Sequence, residues 1–207
     1  MRDASERDLG AHLETALRGV VIGERWPKSA AEVVVTVLEG EEDGWWGDSG
    51  AGAGRKSAVR GVSGLGMMNV LAGCITAASA AIVDAGIDCV DLVSGGVAAI
   101  DVSSKDTGND AAIIDPCPSE HTGLSAACVI GYLQSRDEVT ELWMKGDAGS
   151  NPEVLIDRAV EAAVLSRTVL AEAVREGAEQ KVSQNVPGAN GKATSSAADT
   201  NDVDMKG

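Results

Sequence analysis

Leu9, Leu13, Leu17 and Val20 recur at intervals of three and four near the start of the chain. That period predicts an amphipathic helix over residues 3–20, with Ser5 and Asp8 placed to cap its start. Trp26-Pro27-Lys28-Ser29 then reads as a turn, and the β-branched run from Glu32 to Leu38 as a short buried strand. From Glu39 to Gly66 the periodicity lapses. Acidic residues, the pair Trp45-Trp46 and a Gly/Ser/Ala-rich span fill this stretch, so a long loop or disordered insertion is expected over about 40–66. Residues 67–86 are Ala-rich and apolar nearly all round, which predicts a buried helix, and Gly86 is placed to end it.

Leu92 to Val102 predicts a strand carrying a glycine pair, with a turn over Ser103 to Asn109 and a returning strand at Ala111 to Asp115. Thr122 to Tyr132 and Val139 to Met144 predict two more strands joined by a tight turn. Asn151-Pro152-Glu153 supplies an N-cap and a Pro at the first helical position. A long helix follows to about Lys181. Residues 182–207, rich in Ser, Asn, Gly and Asp, are expected to form a disordered tail. The order implies one α/β layered domain over 1–181, of the α+β kind, with a largely antiparallel sheet.

Composition narrows the function classes. The 207 residues are 44% apolar but only 2% aromatic, with no Phe, so the core must be aliphatic. The formal charge is −15, from 17 basic and 32 acidic residues, which repels free nucleic acid; any RNA work would draw its positive surface from partners. The start is charged, and the apolar stretch from Met67 to Val83 lacks the bulk of a membrane span, so no membrane role is expected. Cys74, Cys89, Cys117 and Cys128 form no CxxC pair and read as reduced thiols.

The densest chemistry lies in Ile113 to His121, IIDPCPSEH. Cys117 and His121, with Cys128, have a tolerable zinc spacing but lack a second close pair; a strand-end turn with a small thiol accounts for them better. Cys117 or Cys128 with His121 or His12 would make a nucleophile pair, but nothing resembles a nucleophile elbow. Asp115 and Glu120 could share acid–base work, although Asp before Pro more often shapes a turn. Gly61 to Gly66 could cradle a phosphate at a helix start, but lacks the P-loop Lys, so no metal and no cofactor is expected. Trp45-Trp46 fits equally a docking anchor or a pair folded over the domain's own edge.

The order of these motifs resembles that of RNase PH-fold proteins. Their "YP-[RK]-[SA]" turn is matched by Trp26-Pro27-Lys28-Ser29, and their Val-rich strand ending in Leu-Glu by Val33 to Glu39. The Ala-rich helix closing on "D-A-G" is matched by Ala81 to Ile87, the "D-x-V-x-G" strand by Asp91 to Val97, and the strand end by Ile114-Asp115-Pro116. The resemblance runs from about Ser5 to Lys181. It implies an RNase PH-like, ribosomal-protein-S5-domain-2-like βαβ fold without its N-terminal strands.

It implies a site as well. Phosphorolytic members hold phosphate with an Arg near the start of the Ala-rich helix, where this chain carries Leu71. They carry two acids six residues apart after the strand, matched here by Asp115 and by His121. Leu cannot bind phosphate, so these positions are expected to be vestigial. The implied role is a non-catalytic subunit of the RNA exosome core ring, supporting 3′-to-5′ processing of ribosomal, messenger and non-coding RNA in nucleus, nucleolus and cytoplasm. Its implied partners are other RNase PH-type ring subunits, an S1/KH-type cap protein, and RNA passing through the channel. Arg55, Lys56 and Arg60 are the weak candidates for residual RNA contact. The alternative is a phosphate-dependent 3′–5′ exoribonuclease whose composite site uses Asp115.

Overall fold

The computed structural model describes residues 4–38, 64–101, 112–117, 120, 124–149 and 152–185. Three helices and four strands account for most of these: α1 (Ala4–Arg18), α2 (Leu65–Asp84), β1 (Val93–Asp101), β2 (Ala112–Ile114), β3 (Leu124–Leu133), β4 (Glu138–Gly146) and α3 (Pro152–Asn185). The strands form one antiparallel sheet in the order β2-β1-β3-β4. Strand alternation sends Val93, Val97, Val129 and Leu133 to one face, where α1 and α2 close over them. Ala98, Cys128, Ile130 and Tyr132 go to the other face, against Leu155, Ala159 and Ala163 of α3. The result is the expected α/β layered domain with an antiparallel sheet; helices cover both of its faces, with an aliphatic core on each side.

Glycine lets these layers approach. In β1, a Cβ on Gly95 would overlap the backbone of Ala72 in α2, and one on Gly96 the backbone of Ala159 and Ala163 in α3. Because β2 pairs only with Ala98 to Ile100, the first half of β1 has no strand on that side among the described residues. Side-chain hydroxyls of α2 serve this edge: the amides of Val93 and Gly95 donate to Ser79 Oγ (3.1 Å) and Thr76 Oγ1 (3.0 Å). Gly86, at φ +74°, ends α2 with its amide on Val83 O, while the Ile87 amide bonds to Ile82 O (3.1 Å).

Three expectations need correction. Residues 32–38 form no strand. Val33 and Val35 pack on the core, but Val34 and Leu38 are 79% and 94% exposed, and among the described residues no backbone bond reaches the segment. The β-branched pattern is right for a strand, yet a strand needs a neighbour to pair with. α2 is buried along one face only: Gly73, Ala77 and Ala81 face outward. It is long and apolar enough to cross a membrane by length and composition, but its bulky residues Met68, Leu71, Ile75 and Ile82 are used up in the core. Finally, α3 continues through 182–185, where a tail was expected.

Candidate functional site

A cavity of about 500 Å³ opens where α2, the first half of β1, the end of β2 and α3 meet. Asn69, Gly73 and Thr76 line it from α2, Asp115 from the end of β2, and Leu165 and Ser166 from α3. Asp115 adopts a left-handed conformation, φ +49°, a region that Asp tolerates better than most residues. Its amide bonds back to Val97 O at 2.9 Å, which fixes the strand end, and the side chain is exposed to the cavity mouth. Asn69 Nδ2 donates to Pro116 O at 3.0 Å. A carbonyl only accepts, so this bond fixes the amide's orientation and leaves Asn69 Oδ1 buried without a donor.

The other predicted residues scatter. Leu71 is fully buried in the core beneath α1 and does not line the cavity with Asp115; the adjacent turn of α2 presents Asn69 there instead. Cys117 is half-buried, and the Glu120 amide bonds to its carbonyl at 3.1 Å, closing a turn. Cys128 faces α3, with its thiol on Leu155 O at 3.5 Å; burial pushes its pKa up to about 12, the opposite of what a nucleophile needs. His12 lies across the sheet on α1, so Cys128 and His12 form no pair. Burial also raises Cys74 and Cys89, Asp88 adding to the effect on Cys89. Among the described residues no group of three or more His, Cys, Asp or Glu is placed to hold a metal. Trp45, Trp46, Arg55, Lys56, Arg60 and His121 lie outside the described residues.

Two constellations were not foreseen. His12 Nδ1 meets Glu141 Oε1 at 2.8 Å, and its ring stacks on Trp143 with centroids 4.8 Å apart; Lys145 lies over the same Trp ring. Asp91 is held by Arg167 (2.8 Å) and by the amides of Leu92 (2.8 Å) and Ser135 (3.1 Å). Burial works to raise the Asp91 pKa, but the Arg167 bond, the two amides and the Arg167 charge together hold it below the ordinary value of 3.8. Asn69 was legible only as a lone amide in an apolar helix. The partners of His12 and Asp91 lie 129 and 76 residues away, beyond the reach of local pattern.

Comparison with known proteins bears on this arrangement. Residues 1–88 match the RNase PH model, the 3′ exoribonuclease family, domain 1. Together with the antiparallel α/β layering, this makes the chain similar to the RNase PH-like proteins. The similarity extends to two MTR3 exosome components. The chain is 44% identical over 180 residues, 85% of this chain, to exosome complex component MTR3 of Chaetomium thermophilum. It is 25% identical over 175 residues, 84% of this chain, to exosome complex component mtr3 of Schizosaccharomyces pombe. The chain spans 59% and 58% of the lengths of these two relatives.

Proposed function

We propose that this chain is a non-catalytic structural subunit of an exosome core ring. The similarity to MTR3 carries this reading, and the cavity chemistry supports it. Phosphorolysis needs a cation to hold the attacking phosphate and charge stabilisation at the reacting centre. Around the cavity, the charged side chain among the described lining residues is the carboxylate of Asp115. Leu71, aligned with the family's phosphate-binding Arg, is closed into the core. The partners under this reading are other RNase PH-type ring subunits and an S1/KH-type cap protein. RNA passes through the assembled channel, in nucleus, nucleolus and cytoplasm.

The unpaired segment 32–38 supports an assembly role: its inward valines are seated, and its backbone would be satisfied by a strand from outside the described residues. Arg55, Lys56 and Arg60 remain the candidate RNA contacts and Trp45-Trp46 a candidate docking anchor.

The test is phosphorolysis by the assembled complex, measured as release of nucleoside diphosphates from labelled RNA in inorganic phosphate. Asp115→Ala in this chain is expected to leave the rate unchanged within about twofold, since it removes no group that contacts reacting atoms. Abolished activity would contradict the proposal and favour a composite exoribonuclease site.

A further inference from the structure

We draw no further inference here: the strongest candidate, the outer edge of β4 with its exposed Val139 and Leu142, has no neighbouring strand among the described residues, and nothing in the structure shows what covers it.

Discussion

Asp91 shows how much one part-buried carboxylate can hold together. It ties α3, through Arg167, to the start of β1 and to the β3–β4 turn. Its pKa is lowered in the folded state and ordinary in the unfolded one. The stability it contributes is therefore complete above the unfolded value of 3.8 and is lost as pH falls through the folded value. Asp91→Asn should cost roughly 1–3 kcal/mol at pH 7, since Arg167 is left part-buried without its partner. It should also flatten the acid limb of the stability curve, checked by urea unfolding from pH 7 to 3. An unchanged acid limb would remove Asp91 from the account. Cys128 gives a second test at this scale: with its pKa near 12, it should resist iodoacetamide at pH 8 in the native chain and react only in denaturant. The sequence marks Cys128 as a small apolar residue in a strand, and that was enough to place it. It gives no sign of the Asp91–Arg167 pair, because a contact across 76 residues is set by how the layers stack, not by local period.

At the scale of elements, periodicity was a good guide where an element's partners lie within the chain. The hairpin of β3 and β4, the Gly86 stop of α2 and the Pro152 start of α3 all follow from local rules. The failures have a common cause: local pattern says what a segment is suited to, not what lies beside it. Residues 32–38 alternate as a strand should, but remain unpaired among the described residues. The amides of Val34 and Val37 should therefore exchange freely in the lone chain and become protected when a neighbouring strand is present, read by hydrogen exchange; equal exchange in both states would contradict that role. Gly96→Ala tests the close packing of layers directly. Its Cβ meets the Ala159 and Ala163 backbone, so a loss of about 1–3 kcal/mol is expected, seen as a Tm lower by several degrees. Lys181 makes a milder tie, donating to the Asp84 carbonyl (3.1 Å) and carboxylate (2.6 Å) at the C-terminal end of α2. Both side chains are more than half exposed, so Lys181→Met should change stability by less than about 1 kcal/mol while loosening exchange near the end of α3.

For the whole molecule, the order of motifs carried more information than any single one. No motif resembling RNase PH-fold proteins is decisive alone; together they pointed to the family and type that the MTR3 similarity bears out. The candidate site was legible only in part. Asp115 was identified and does line the cavity, but Leu71 points into the core, and Asn69, which faces Asp115's strand end, went unweighed. An alignment position fixes a residue's place in the chain, whereas the face it presents is fixed by the helix's rotation against the sheet. Segment 32–38, unpaired among the described residues, the exposed apolar rim of α3 at Leu165 and Val169 and the strong negative charge are all consistent with the proposed assembly role. The most direct measurement is to express this chain with and without RNase PH-type ring partners, and to weigh the products by size exclusion with mass detection. The account predicts a stoichiometric, ring-sized complex containing this chain, and poor solubility without partners. A stable lone monomer or homo-oligomer that ignores the ring subunits would contradict it.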